Sequence, residues 1–153
     1  MNSRTIVAAA LACYASAVSA DIEILQTLDF GTVAIKSNNR IERYTISKEG
    51  NNNASSNIVI FSNGTRGLFR LFNLPSNQNV FITTTIADLT LRSPEFNTDQ
   101  FNFESLESLT VFRTDANGEV IVPVGGTIAT NGDGSINFGV SPLAGTFSFS
   151  VNY

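Results

Sequence analysis

Histidine and tryptophan are absent from the 153 residues, and cysteine and methionine occur once each. The one cysteine, Cys13, lies inside an N-terminal stretch that reads as a cleaved leader, so the remaining chain is expected to carry no thiol. Without His or Cys, neither a Ser-His-Asp triad nor a Cys-His pair can be assembled. A zinc site loses its favoured ligands for the same reason. No disulfide can brace the domain, so packing and strand pairing must supply the stability that small exported domains often take from cross-links. Charged residues make up only 14 % of the chain, and the net charge is −4. Loss of Arg4 with the leader makes the balance more negative, which argues against nucleic acid and anionic membrane surfaces as partners. No cofactor and no enzymatic activity are expected from this inventory.

Long apolar runs are missing as well. Ile6 to Ala12 is the apolar part of the leader, and it is far too short to anchor the chain across a bilayer. Arg4 supplies a positive n-region, and Val18-Ser19-Ala20 supplies the small-residue cleavage pattern, which places the cut before Asp21. Residues 1–20 are thus read as a signal peptide and 21–153 as one domain, exported and without membrane insertion after cleavage. A rival reading starts from Ala10-Leu11-Ala12-Cys13, which loosely resembles a lipoprotein cleavage site and would lipidate Cys13.

What the chain does have is phenylalanine, twelve of them, dispersed among Ser, Thr, Asn and Gly. The clearest pattern closes the sequence: Phe147, Phe149, Val151 and Tyr153 alternate with Ser148, Ser150 and Asn152. Strict alternation predicts a strand with one buried and one wet face. A terminus frays unless something holds it, so Thr146 to Tyr153 is expected to pair with a neighbouring strand, in this molecule or another. Asp21 to Phe30 alternates too, with Ile22, Ile24, Leu28 and Phe30 on one face and Gln26 as its polar member. Further strands are predicted at Arg40 to Ser47, Leu68 to Leu74, Val80 to Ile86, Leu89 to Leu91, Thr127 to Thr130 and Ile136 to Phe138. Asn57 to Ser62 holds the continuous run Ile58-Val59-Ile60-Phe61, the pattern of a strand covered on both faces. Leu109 to Arg113 and Val120 to Val124 flank Asp115-Ala116-Asn117-Gly118, a hairpin signal. Asn51-Asn52-Asn53 reads as a polar loop, and Ser93 to Ser108 as a long loop with one helical turn near Glu104 to Glu107. Short strands punctuated by Asn and Gly predict an all-β, antiparallel β-sandwich.

Little else carries chemistry. Glu104 with Glu107, and Asp115 with Glu119, are the available carboxylate pairs, and both read as solvated surface charges. Asp115 to Glu119 and Asn131-Gly132-Asp133-Gly134-Ser135 resemble fragments of calcium loops. Neither has the closing bidentate Glu, and Asn-Gly and Asp-Gly are equally strong turn signals, so no metal site is expected. Asn53-Ala54-Ser55 and Asn63-Gly64-Thr65 match the glycosylation triplet and are read only as exposed loops.

Four segments together resemble a bacterial family catalogued as a domain of unknown function, number 4402: Leu28-Asp29-Phe30-Gly31-Thr32-Val33-Ala34, Phe69-Arg70-Leu71-Phe72-Asn73-Leu74-Pro75, Val124-Gly125-Gly126-Thr127-Ile128 and Gly145 to Tyr153. The second stands where the family has Phe-x-Val-Thr-Gly-x-Pro, so Phe72-Asn73 replaces Thr-Gly. Members of that family are exported proteins similar to subunits of chaperone–usher fimbriae. The resemblance implies an immunoglobulin-like, pilin-like sandwich missing one strand, filled first by a periplasmic chaperone and then by the N-terminal segment of the next subunit. It implies an usher and other pilus-like subunits as partners, and passage through the periplasm to the cell surface. On that reading Ile22, Ile24, Leu28 and Phe30 form the exchangeable strand, within 21–30. Phe147, Phe149, Val151 and Tyr153 line the groove. Only Asp21 to Thr27 precedes the Leu-Asp-Phe-Gly motif, a short donor. The alternative is a monomeric surface adhesin that binds glycan or matrix through loops such as Ser93 to Ser108.

Overall fold

A computed structural model describes residues 20–87, 101–136 and 145–153, and the backbone of 3–8 and 90–91. Every regular element among the described residues is a β-strand, and every pairing is antiparallel. In chain order they are β1 (Ser3–Ala8), β2 (Asp21–Gln26), β3 (Thr32–Ile35), β4 (Arg43–Ile46), β5 (Asn52–Ala54), β6 (Ile58–Ser62) and β7 (Gly67–Phe72). Then follow β8 (Asn79–Ile86), β9 (Thr90–Leu91), β10 (Phe101–Glu107), β11 (Val111–Arg113), β12 (Val120–Thr130) and β13 (Phe147–Asn152). One sheet runs β1-β13-β8-β11 and the other β2-β7-β12-β10-β9, with β4 on β12, β5 on β4, and β3 with β6 as a separate ribbon. The fold is an immunoglobulin-like β-sandwich.

Alternation builds the core. Val80 and Ile82 on β8, Phe149 and Val151 on β13, Leu71 on β7, and Val122 and Val124 on β12 are all fully buried. Each contributes about 1.5–3 kcal/mol by leaving water. The sheets meet where the Phe69 ring stands edge-on to Phe147 and Phe149, with centroids 5.5 and 5.0 Å away. Edge-to-face geometry sets the positive ring rim against the negative ring face.

Several expectations change. Val120 to Val124 and Thr127 to Thr130 are one strand, β12: its first half pairs with β7, its second half with β4 and β10. Phe101 to Glu107 is strand β10, with no loop or helical turn. Phe101 and Phe103 point inward, and a bulge after Phe103 shifts the phase so that Leu106, not Ser105, faces the core side. That phase shift hides the period in the sequence. Asn52 to Ala54 pairs with β4 instead of forming a loop. Thr32 to Ile35 is a strand not foreseen. The run Ile58 to Phe61 is not covered on both faces: Ile58 and Ile60 pack on the core, while Phe61 sits at a bulge, 71 % exposed. β11 and β12 do not pair with each other. The Asp115 to Gly118 turn carries the chain from one sheet to the other, since β11 pairs with β8 and β12 with β7. Ile136 is outside any strand. Cys13, the cleavage residues Val18-Ser19, Ser93 to Gln100 and Asn137-Phe138 lie outside the described residues.

Candidate functional site

The closing strand β13 is paired on both sides. Its six residues run against β8 from Phe147↔Ile86 to Asn152↔Phe81. On the other side they run against β1, from Ala8↔Phe147 to Ser3↔Asn152, with no shift of register. Phe147, Phe149 and Val151 face the core, and Tyr153 is half-buried against it. The expectation that this end is held by neighbouring strands fits these pairings.

The N-terminal candidates are divided. Ile22 and Ile24 stand opposite Leu71 and Phe69 of β7. Ile22 packs on the core, but Ile24 is 54 % exposed. A bulge between Ile24 and Gln26 shifts the phase, and the strand ends at Gln26. Ile24 is the member that departs, whereas Leu28 and Phe30 pack on the same core as Ile22. They turn toward the β10–β12 end, where the Phe30 ring lies 5.9 Å from both Tyr44 and Phe103. The turn has a local cause: Asp29 Oδ1 accepts from Gly31 N at 2.8 Å, and Gly31 takes a φ of 66°, which favours glycine. Phe69 and Leu71 join the two groups, since they pair with β2 and Phe69 touches β13. The alternation Gly67-Leu68-Phe69-Arg70-Leu71 was the signal for that role. The β-branched Thr5, Ile6 and Val7 were the only signal for β1.

The carboxylates and turn residues singled out in the sequence have partners. Glu104 binds Arg43 through both oxygens (2.7 and 2.8 Å), and Glu107 binds Lys48 at 2.7 Å. They are two ion pairs on a strand, not a carboxylate pair on a helix. Asp115 Oδ1 accepts from Asn117 N and Glu119 N at 2.9 Å each, which makes a turn. In the Asn131 to Ser135 loop the buried Asn38 amide nitrogen reaches Asn131 Oδ1 (2.6 Å) and Ser135 O (2.8 Å), and Gly132 N donates to Asn38 Oδ1 at 3.0 Å. An amide nitrogen thus sits among the oxygens a cation would need. Tyr44, fully buried, has its phenol raised above its ordinary pKa by burial. Its hydroxyl bonds Asn52 Oδ1 and accepts from Gly64 N at 3.0 Å.

Acid sensitivity follows from the carboxylates. Hydrogen bonds from Arg40 and Asn57 hold the Glu42 carboxyl below its ordinary pKa, and bonds from Arg43 and Ser135 do the same for Glu104 and Asp133. A carboxyl depressed in the folded state adds stability that is present above the unfolded pKa and lost as pH falls through the folded one. The melting temperature is expected to fall as pH drops below about 4.5, and Glu42→Gln to lessen that fall. Thermal melts from pH 7 to pH 3 check it; parallel curves for both proteins would refute the Glu42 assignment.

One opening, of about 470 Å³, is lined by Ile41, Asn102, Phe103, Glu104, Ala129 and Thr130. Comparison with known proteins returned no matching family model, no matching curated protein and no matching solved structure. Function must therefore be argued from the geometry of this chain.

Proposed function

We propose that the protein is an exported, non-catalytic structural subunit, pilus-like, that assembles by β-strand addition with the side of β13 now paired with β1 as acceptor. The observation that carries this reading is the position of β1: one whole side of the closing strand is paired only with residues 3–8. Those residues belong to the stretch expected to be cleaved. Cutting before Asp21 leaves β13 bound to β8 alone, with a row of unpaired N–H and C=O groups beside an apolar face. Such an edge is a template for another strand.

The donor is the Asp21–Gln26 segment of a second copy. In its own molecule β2 is an edge strand with one neighbour, β7, and it exposes Ile24 and Leu25. The family resemblance supports the reading, and with it the chaperone, the usher and the surface location. Asn73, which stands where the resembled pattern has glycine, takes a φ of 60°. Asn is among the few residues besides glycine that enter this region readily.

Residues 21–153 are expected to form chains of copies as concentration rises, followed by size-exclusion chromatography with light scattering. Residues 27–153, with an acceptor but no donor, are expected to cap that growth. A strictly monomeric 21–153 whose Phe147 to Asn152 amides are protected from exchange would falsify the reading. The second reading, a monomeric glycan- or matrix-binding module, is favoured by the opening to which Asn102, Phe103 and Glu104 contribute. Its one charged member, Glu104, is already bound to Arg43.

A further inference from the structure

We infer that side-chain bonds from β2 to the β7 region, centred on Arg70, form a latch that keeps the donor strand on its own subunit, so that opening of the latch sets the pace of assembly. This rests on the reading above, with β2 as donor, and it adds what regulates that donor.

The apolar hold on β2 is slight. Of its six residues, Ile22 alone packs an apolar side chain on the core, while Ile24 and Leu25 are about half exposed. The ladder to β7 is broken by the bulge between Ile24 and Gln26, and no other described strand pairs with β2. β13, by contrast, buries Phe147, Phe149 and Val151. Polar side chains make up the difference on β2. Arg70 Nη1 donates to Glu23 Oε2 at 2.8 Å, Gln26 Nε2 donates to Arg66 O at 2.9 Å, and Asn73 Nδ2 donates to Asp21 Oδ2. The three bonds fall at the start, the middle and the end of the strand, so it cannot leave β7 without breaking all of them.

The same contacts can be undone at little cost. Arg70 also donates through Nε and Nη2 to Glu119, at 3.1 and 2.8 Å, and its guanidinium lies 5.3 Å over the Phe72 ring. When Glu23 departs, Arg70 keeps these partners, so no buried charge is left alone. The Arg70 and Glu23 side chains are 37 % and 50 % exposed, and a pair in contact with water shifts an equilibrium by no more than about fivefold. Such bonds retain the strand without fixing it. The Asp21 bond depends on the residue at 73. A glycine there would take the same φ of 60° and offer no amide.

The test uses the exported protein recovered after leader removal. Hydrogen exchange of residues 21–26 in the dilute monomer measures opening of β2, and light scattering at higher concentration measures assembly. Arg70→Met keeps an aliphatic stem, and Asn73→Gly keeps the backbone conformation. Each is expected to speed exchange of 21–26 about threefold to fivefold and to raise the assembly rate by a similar factor. Arg113→Met, on the other sheet, is expected to change neither. In about 0.5 M sodium chloride the gap between parent and Arg70→Met is expected to narrow, because screening cuts the reach of exposed charges to roughly 4 Å. Should Arg70→Met fail to fold, Asn73→Gly decides alone. Unchanged exchange in the variants overturns the latch, and the subunit reading stands if the parent assembles. Faster exchange with assembly no faster than the parent's overturns the control of assembly by β2. Faster exchange with no protein assembling up to millimolar concentration leaves the hold on β2 standing and overturns the subunit reading.

Discussion

Phe149→Asp is expected to abolish folding or leave a protein melting far below the parent, while Ser148→Asp leaves it nearly unchanged. The two positions are adjacent on β13 and point to opposite faces. Phe149 is 0 % exposed, and its ring packs 5.0 Å from Phe69 and 5.5 Å from Phe147. Removing a buried Phe side chain costs about 3–5 kcal/mol. The aspartate adds a carboxylate with no partner, which costs several kcal/mol more or forces protonation. Together these approach the 5–15 kcal/mol of a typical domain. Ser148 stands opposite Thr85 on the outer face, half-buried. A charge there keeps contact with water and is expected to cost less than about 1 kcal/mol. Urea unfolding of both variants, followed by circular dichroism, measures the difference. Equal losses would show that the alternation does not separate a buried face from a wet one.

The same periodicity explains what could and could not be read from the sequence. β13, β7 and β8 keep strict phase, so their inward residues were visible as every second apolar position. β10 and β2 each contain a bulge, and an extra residue flips the phase for all that follows. In β10 this disguised Phe101 to Glu107 as a loop; in β2, where the shift follows Ile24, that residue is exposed while Ile22, Leu28 and Phe30 pack on the core. β5 was missed because its stability comes from neighbours: Asn52 contributes a side chain bonded to Gly64 and Tyr44, not apolar burial. The Asp115 to Gly118 turn was identified, but its partners were not. A turn signal fixes the reversal of the chain and leaves open which sheet each arm joins. For the candidate site, alternation marked the inward residues Phe147, Phe149 and Val151. The strand beside them was hidden, because residues 3–8 carry no alternation of apolar and polar residues that would mark a strand.

Gly125→Ala is expected to cost about 3 kcal/mol or more, and Gly126→Ala clearly less, although the residues are neighbours on β12 in the segment Val124 to Ile128. Both are buried. They differ in what a methyl group would strike. At Gly125 the added carbon would overlap Ile46 O and lie 2.5 Å from Ser47 C and 2.6 Å from Lys48 N, all backbone. That backbone cannot move freely: Ser47 N donates to Asn51 O at 2.9 Å, Gly50 N donates to Ser47 O at 2.8 Å, and the Lys48 ammonium is bound to Glu107. Relieving the overlap means separating β4 from β12, with loss of ladder hydrogen bonds. At Gly126 the nearest atoms are side-chain ends, Phe103 Cε2 at 3.0 Å, Leu28 Cδ2 at 3.1 Å and Phe30 Cζ at 3.2 Å. These can shift by a few tenths of an ångström, and overpacking that side chains absorb costs typically 1–3 kcal/mol. Urea midpoints of both variants measure the contrast, and equal costs would mean that the β4 turn yields as readily as side chains do. The pair also separates folding from assembly. Gly125 lies in the sheet opposite β13, so the folded fraction of Gly125→Ala is expected to assemble like the parent. Phe149→Asp, placed in the strand proposed as the acceptor, is expected to lose assembly along with stability.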